Sequence, residues 1–352
     1  MKILIYGANG YTAKLIVDKA IKQNLNFVIS GRNESKITEI ANDKKIPFFI
    51  ASHKSFLQNP ELLDNFDIFL NCAGPFSKTA KPIMQACIKS KTHYLDITGE
   101  IEVFQLGKLF NYEAQSSNII ICPGVGFDVI PTDCLAAALN EKLPNADELI
   151  LGFESTTKKM SPGTMSTSIE SLGNGGKICK NGNVINVPLA FNSQQLDFGN
   201  GLKTMVTIPW GDVATAGYST GIKNISVFIP MSEKKINRLK LLSKFSWLLK
   251  TQFLQNFMKN KVKKNIKGPS FEEREKGKTF VWGQIHKGHE IFEGKITTKN
   301  GYDVTVDGSL AIIQHINHNK INGGYYTPSQ LCGFDLIEKL SGSSKIKIKK
   351  IN

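Results

Sequence analysis

The feature that most constrains this chain is a short apolar run at its start that ends in two glycines. Residues 2–6 form the run, Gly7 and Gly10 follow it, and an amphipathic stretch begins at Tyr11. This pattern predicts a strand, a tight turn and a helix, the unit that receives a pyrophosphate in a dinucleotide-binding domain. Gly7 would permit the sharp turn, and Gly10 would let the backbone approach the phosphates. The predicted phosphate-binding residues are Gly7, Asn9, Gly10, Tyr11 and Thr12.

A second apolar run, residues 26–30, ends beside an arginine, Arg32. In a dinucleotide fold this strand end lies next to the adenosine ribose, where an acidic side chain would bond the free 2′-hydroxyl of NAD. The sequence has no acid at the strand end, and a guanidinium suits a 2′-phosphate by its charge and its fork of donors. NADP(H) is therefore the predicted cofactor, with Ser30, Arg32 and Asn33 in its site. The alternative is that Arg32 is a solvated loop residue.

Length and composition limit the class of protein. The 352 residues suffice for two domains or for one domain with a large insertion, and no apolar run approaches the roughly 20 residues of a membrane span. The six cysteines show no metal-ligand spacing, so we expect reduced thiols, no metal site and a cytoplasmic location. The net charge of +14 is concentrated in residues 233–267, which hold eleven Lys or Arg against one acid. Nucleic acid is therefore not a predicted partner.

Alternating strands and helices predict the fold class in the first part of the chain. Six apolar runs end near residues 6, 30, 51, 72, 97 and 122, and helical segments separate them. This order predicts an α/β fold, a Rossmann-type doubly wound parallel sheet, over residues 1–147. The frequent glycines and the β-rich segments of residues 148–307 predict a mixed α+β domain with a largely antiparallel sheet. This sheet includes a predicted hairpin of 290–298 with 302–306. Residues 308–352 are predicted as C-terminal helices that return to the Rossmann domain.

Glycine-bearing turns follow the fourth, fifth and sixth predicted strands. Ligands of a doubly wound sheet bind at the carboxyl ends of its strands, near the point where the strand order reverses. We therefore place the nicotinamide and the substrate at this edge. The additional residues predicted to bind cofactor are Cys72, Ala73, Gly74, Pro75 and Gly124. Taken one at a time, each turn has a plain structural explanation.

These motifs together resemble one family. The segments 6–13, 30–33, 71–76, 94–100 and 123–133 look like the saccharopine dehydrogenase-like oxidoreductases, which include the trans-acting enoyl reductases of lipid biosynthesis. Weaker likeness continues through 163–168 and 323–328. The resemblance implies a Rossmann domain, an NADP-type cofactor and hydride chemistry, but no particular substrate. The chain departs from the commoner family pattern at Ala13, where glycine is usual.

The proton donor is the least defined part of the predicted site. Asp128 and Tyr94 are the candidate catalytic residues, although neither falls into a recognised constellation. The predicted function is an NADPH-dependent oxidoreductase that reduces an unsaturated acyl or polyketide-type lipid, with a small-molecule or lipid-linked acyl substrate. One alternative is a non-catalytic NADP-binding scaffold at a membrane or lipid surface. A third is an amino-acid dehydrogenase of the saccharopine type.

The basic segment 233–267 leaves several interpretations open. Its apolar residues fall near helical spacing and are Ile236, Leu239, Leu242, Phe245, Leu249, Phe253 and Phe257, widened by Trp247, Leu248 and Leu254. A lysine-rich amphipathic helix of this kind binds a membrane interface, covers an acyl-binding groove or joins two subunits of a homodimer. The plain alternative is a helix whose apolar face packs on the core.

Overall fold

A computed structural model describes residues 1–198, 201–243 and 251–352, and it divides the chain into two compact units. Unit 1 comprises Met1–Phe127 and Thr305–Cys332, and unit 2 comprises Asp128–Val304 and Gly333–Asn352. The chain therefore passes from one unit to the other three times.

The strands of both units are numbered here in chain order. They are β1 (Ile3–Tyr6), β2 (Phe27–Gly31), β3 (Phe48–Ile50), β4 (Ile68–Asn71), β5 (His93–Asp96), β6 (Ile120–Cys122), β7 (Glu148–Ser155), β8 (Gly176–Lys180), β9 (Asn183–Val187), β10 (Ser193–Asp197), β11 (Leu202–Thr207), β12 (Asn224–Pro230), β13 (Lys278–Lys287), β14 (Glu290–Lys299), β15 (Gly324–Tyr325) and β16 (Lys347–Lys350).

The helices are numbered in the same way. They are α1 (Tyr11–Lys22), α2 (Glu34–Lys44), α3 (His53–Gln58), α4 (Phe76–Ser90), α5 (Ile101–Leu109), α6 (Asn111–Ser116), α7 (Ile130–Lys142), α8 (Pro162–Asn174), α9 (Asp212–Thr220), α10 (Glu233–Ser243), α11 (Gln252–Asn265), α12 (Phe271–Glu275), α13 (Gly301–His318), α14 (Pro328–Cys332) and α15 (Leu336–Lys339), with a 3₁₀ turn at Pro60–Leu63. Among the described residues, none of these helices is long and apolar enough to cross a lipid bilayer.

Unit 1 contains a parallel sheet in the order β15-β6-β5-β4-β1-β2-β3. Its central strands β1 and β4 are buried along their whole length, as expected where helices cover both faces of a sheet. The six predicted strands are all present within two residues of their expected ends. The strand order changes direction between β1 and β4, so the carboxyl ends of these two strands mark the switch point of a doubly wound sheet. The predicted fold class is confirmed.

Unit 2 contains a mixed sheet in the order β10-β11-β12-β7-β13-β14-β16, from which the β8–β9 hairpin branches at β12. All of these pairs are antiparallel except β12 with β7, so the largely antiparallel character is as predicted. One face of the sheet buries Trp282 against Phe198, Met205 and Phe228. These aromatic and sulfur-containing side chains form a core that is separate from the sheet of unit 1.

The domain boundaries differ from the prediction at two places. Helix α7 packs on β13 and β14, so unit 2 begins at Asp128 and not after residue 147. The tail 345–352 was expected to follow helices back to the first domain, but β16 pairs with β14 at the edge of the second sheet. Only Thr305–Cys332 returns to unit 1. Sequence alternation could not reveal either point, because both depend on which sheet buries the segment.

The predicted hairpin of 290–298 with 302–306 is wrong. The partner of β14 is β13, and residues 302–306 lie in helix α13. The physical reason is the side chain of Asn300, whose oxygen accepts hydrogen bonds from the backbone N–H groups of Tyr302 (2.9 Å) and Asp303 (3.1 Å). The Asn-Gly pair that looked like a hairpin turn is thus the start of a capped helix.

The structure describes part of the basic segment 233–267, and its first helix, α10, packs on the core of unit 2. In α10, Ile236 is buried against Ala190 and Val206, and Leu239 packs against the same cluster. This part is an ordinary helix that packs on its core, as the plain alternative predicted. The apolar positions Phe245, Trp247, Leu248 and Leu249 lie outside the described residues.

Candidate functional site

The turn after β1 has room only for glycine at its first position. Gly7 has a φ of +81°, and a Cβ there would lie 2.8 Å from the Cβ of Ala73 in the loop after β4. The N–H of Gly7 donates to the carbonyl of Ser30 at the end of β2 (2.8 Å), and the N–H of Gly10 donates back to Gly7 (2.9 Å). Gly7 therefore joins the carboxyl ends of three neighbouring strands in a close backbone contact.

Helix α1 begins at this turn with an uncapped N-terminus. Its N-cap residue is Gly10, which offers no side-chain acceptor, and its first turn contains no acidic residue. Within the part of the chain that the structure describes, the N–H groups of Thr12 and Ala13 have no acceptor. Unpaired amides and the positive end of a helix dipole attract an anion. The turn thus fits the pyrophosphate that the sequence predicted, and Ala13, buried at 1% exposure, fits the helix packing without a glycine.

The end of β2 is where the sequence predicted that the ribose phosphate would bind. Arg32 is exposed and lines an open depression with Asn33, Glu34, Ser35 and Thr38. The hydroxyl of Ser30 is buried without a hydrogen-bond partner among the described residues, whereas the side-chain oxygen of Asn33 caps α2 by accepting from the N–H of Lys36 (3.0 Å).

The electrostatic environment of this strand end is positive. Burial, and then the charges of Lys54 and Arg32, lower the pKa of His53 at the start of α3. Arg32 also opposes the effect of burial on Tyr6, whose pKa burial raises. An anionic group of a ligand would reduce the repulsion between the positive charges of Arg32 and Lys54. The residues present therefore fit a 2′-phosphate.

The loop after β4 is held by a buried amide. Asn71 accepts from the N–H of Ala73 (3.0 Å), and its side-chain nitrogen donates to the hydroxyls of Thr79 and Tyr94 (3.2 Å each). Thr79 in turn donates to the carbonyl of Ala73 (2.8 Å). These bonds fix Cys72, Ala73, Gly74 and Pro75 at the same sheet edge as the turn after β1.

A carboxylate caps the helix that follows this loop. Glu100 accepts from the N–H groups of Phe76 (2.8 Å) and Ser77 (2.7 Å) at the start of α4. Glu100 therefore bonds backbone N–H groups at a helix start. The cap ties the loop after β5 to the loop after β4.

Tyr94 lies inside unit 1, away from solvent. Its hydroxyl donates to Asp96 (2.7 Å), whose other oxygen accepts from the N–H groups of Thr98 and Gly124 (3.0 Å each). Burial raises the pKa of Asp96 to about 6 and raises the pKa of Tyr94. This network links β5 to the loop after β6, and it places Gly124 at the predicted edge.

Asp128 is the first residue of unit 2 and follows Gly124 by four positions. Its side chain is partly exposed, burial raises its pKa to about 7, and no described residue hydrogen-bonds to its carboxyl group. A carboxyl group with these properties can hold or release a proton near neutral pH.

A second carboxyl group in unit 2, that of Asp212, was missed by the sequence analysis. Asp212 is fully buried at the start of α9 and accepts a hydrogen bond from Thr132 (2.7 Å), while its other oxygen has no partner among the described residues. Burial raises its pKa, and the charges of Asp133 and Asp128 act in the same direction. No sequence signal marks it, because an aspartate at a helix start is ordinarily a solvated one.

The predicted cofactor residues thus gather at one edge of the unit 1 sheet, and a comparison with known families identifies that unit. Residues 3–120 match the model of the saccharopine dehydrogenase NADP-binding domain. The chain carries an NADP-binding domain of this family. The resemblance to the saccharopine dehydrogenase-like oxidoreductases is therefore confirmed, and so is the prediction of an NADP cofactor.

Several proteins with sequences similar to this chain have names that agree with this family. The chain is 28% identical over 200 residues to a probable mitochondrial saccharopine dehydrogenase-like oxidoreductase of Arabidopsis thaliana, covering 50% of this chain and 44% of the relative. It is 23% identical over 210 residues to the human saccharopine dehydrogenase-like oxidoreductase, covering 53% and 49%. A trans-acting enoyl reductase of Mycobacterium ulcerans is 27% identical over 142 residues, covering 38% and 34%. The alignments thus span half or less of each relative's length.

The fold has a counterpart among solved structures. Saccharopine dehydrogenase (L-Glu forming) from Saccharomyces cerevisiae, in its apo form, matches with a TM-score of 0.67 over 100% of both chains at 10% identity. At this identity the likeness concerns the fold alone. It agrees with an α/β architecture built from a parallel sheet and a second mixed sheet.

Proposed function

We propose that this protein is an NADPH-dependent oxidoreductase that reduces an unsaturated acyl or polyketide-type lipid. The observation that carries the proposal is the glycine turn after β1, which packs on Ala73 and precedes an uncapped helix start in a domain of the NADP-binding family. Such a domain serves hydride transfer in oxidoreductases, and bound NADPH would supply the hydride. The mycobacterial relative named as a trans-acting enoyl reductase supports the substrate class.

The preference for NADP(H) over NAD(H) rests on the end of β2. Arg32 is exposed, and its positive charge and that of Lys54 both act to lower the pKa of His53, so the strand end is positive. A guanidinium binds a phosphate through two parallel hydrogen bonds, and NAD(H) lacks the phosphate that would use them. Glu34 lines the same depression but belongs to the first turn of α2, where the helix dipole stabilises an acidic side chain.

Asp128 is the proposed proton donor, and Tyr94 has no part in proton transfer. Reduction of a conjugated double bond leaves a carbanion-like centre that must receive a proton. Asp128 is accessible, lacks a hydrogen-bond partner among the described residues, and has a pKa that burial raises to about 7. Tyr94 is buried, and its proton is already donated to Asp96.

The decisive experiment measures NADPH oxidation by the whole chain against a panel of enoyl thioesters of increasing acyl length. We expect turnover, and we expect Asp128→Asn to lower kcat by about 10²–10⁴-fold because an amide cannot supply the proton. The acid form of Asp128 is lost as pH rises through about 7, so kcat should fall above that pH. The affinity for NADPH, measured by fluorescence titration, should be unchanged in the variant.

Two other outcomes would replace this proposal. Saturable NADPH binding with no turnover on any thioester favours the non-catalytic scaffold. Turnover only with amino-acid substrates that carry two or more carboxylates favours a saccharopine-type dehydrogenase. A variant Asp128→Asn that keeps full turnover on an enoyl thioester would retain the reductase and remove Asp128 from its mechanism.

A further inference from the structure

Among the residues that the structure describes, helix α11 in unit 2 packs through one face, against α8. It contacts α8, and its residues Leu254, Gln255 and Met258 are half-buried. Phe253 and Phe257 are instead 84% and 63% exposed. Residues four apart lie on the same side of a helix, so the two exposed rings form one apolar stripe. Among the described residues, the face that carries these rings therefore presents aromatic side chains to water.

Basic residues accompany this stripe. Residues 251–267 contain five lysines and no acid. Lys261 and Lys267 are exposed, and Lys261 lies four residues after Phe257, on the same side of the helix. The stripe thus places positive charge beside two aromatic rings. Such a face complements a surface whose outer layer is negatively charged and whose interior is apolar.

We propose that Phe253, Phe257 and Lys261, together with Lys267, form a docking face for a membrane surface that contains anionic phospholipids. Phenylalanine rings insert at the boundary between headgroups and acyl chains, and lysines are attracted to anionic headgroups. Packing of the opposite face on α8 leaves the docking face presented outward from unit 2. The interaction is peripheral and reversible, and it is independent of the proposed reductase activity.

The test is co-sedimentation of the whole chain with vesicles of phosphatidylcholine alone or of phosphatidylcholine with phosphatidylserine. We expect binding only to the anionic vesicles, weakened by added salt. The double variant Phe253→Ser with Phe257→Ser should lower the partition coefficient about tenfold or more, because two interfacial rings are lost. Lys261→Glu with Lys267→Glu should lower it about tenfold through charge alone.

The matched control removes two exposed apolar side chains elsewhere, Leu109→Ser with Tyr112→Ser, each 77% exposed in unit 1. This variant should bind anionic vesicles as the parent does, and all variants should keep NADPH affinity and the far-ultraviolet circular dichroism of the parent. The proposal is overturned by equal binding to neutral vesicles, by full binding of the Phe253 and Phe257 variant, or by an equal loss in the control. Salt-sensitive binding of single-stranded DNA that needs the two phenylalanines, without vesicle binding, would also overturn it.

Discussion

At the scale of single residues, the buried side chains of Asn71, Tyr94 and Asp96 hold the loops that line the cofactor edge. Each makes at least two hydrogen bonds, and together they join the ends of β4, β5 and β6. A buried polar network of this kind stabilises only when its members remain paired. Tyr94 is therefore better explained as a structural link than as an acid, and this explanation can be tested directly.

Tyr94→Phe removes the hydroxyl that joins Asn71 to Asp96. We expect a loss of about 1–3 kcal/mol in the free energy of unfolding, since one oxygen of Asp96 and one N–H of Asn71 lose their partner. Urea denaturation followed by circular dichroism measures this loss. Turnover per folded molecule should change less than about threefold, well below the 10²-fold or more that loss of a proton donor costs. The opposite pattern, normal stability with a large fall in kcat, would restore Tyr94 as a catalytic residue.

Arg32 decides the choice between cofactors in the proposed function. Because its side chain is exposed, Arg32→Ala should leave the unfolding free energy within about 0.5 kcal/mol of the parent. The Kd for NADPH should rise about tenfold or more, since a charge-assisted bidentate bond is lost, while the Kd for NADH stays constant. Fluorescence titration of both nucleotides at low salt gives the two values. The control is Lys36→Ala, an exposed cation one helical turn further on. If the parent and the Arg32→Ala variant showed the same preference for NADPH over NADH, Arg32 would not be the residue that selects the cofactor.

At the scale of elements, the turn between β1 and α1 contains two glycines, Gly7 and Gly10, that have different structural requirements. Gly7 needs its positive φ and lacks room for a Cβ, whereas Gly10 has a φ of −70° that any residue adopts and only one tight contact, 3.2 Å to the carbonyl oxygen of Gly7. Gly7 therefore serves the fold, and we propose that Gly10 serves the approach of a ligand to the helix start.

The substitutions Gly7→Ala and Gly10→Ala should have different effects on stability and on NADPH binding. Gly7→Ala should destabilise unit 1 by about 2–4 kcal/mol, because strain at positive φ adds to the clash with Ala73. Gly10→Ala should cost less than about 1 kcal/mol yet raise the Kd for NADPH by about tenfold or more, since the new methyl group stands where phosphates approach amides. Denaturant titration and nucleotide titration of both variants give the comparison. Unchanged NADPH affinity in Gly10→Ala would remove the pyrophosphate from this turn.

The elements also explain what the sequence could predict. The strands of unit 1 are buried on both faces, so they appear as short uniform apolar runs that end in glycine turns, and the positions of the strands and of these turns were predictable. The start of α13 was not, because Asn300-Gly301 suits a hairpin turn and a helix cap equally until the hydrogen bonds of Asn300 are known. Asp212 was hidden for a similar reason, since burial and not residue type raises its pKa.

At the scale of the whole molecule, the division of the chain depends on contacts between distant segments. The segment 345–352 has the lysines of a solvated tail, yet β16 pairs with β14 and its Lys349 lies 3.3 Å from the carboxylate of Glu293. Glu293 itself is 8% exposed and accepts from the indole N–H of Trp282 (3.0 Å). The alternation of strands and helices along the sequence does not predict this pairing. The reason is that β16 pairs with a strand that is distant in the sequence, at the edge of the sheet.

Removal of residues 345–352 should therefore weaken unit 2 and spare unit 1. The edge of β14 would lose its strand partner, and we expect a loss of about 2–4 kcal/mol in the unfolding free energy from lost burial and hydrogen bonds. Trp210 and Trp282 both lie in unit 2, so tryptophan fluorescence in urea reports on that unit. NADPH binding reports on unit 1 and should be retained. Lys349→Ala is the control and should cost less than about 1 kcal/mol, since its side chain is 68% exposed. A truncated chain that loses NADPH binding together with the tryptophan signal would show that the two units do not hold their folds separately.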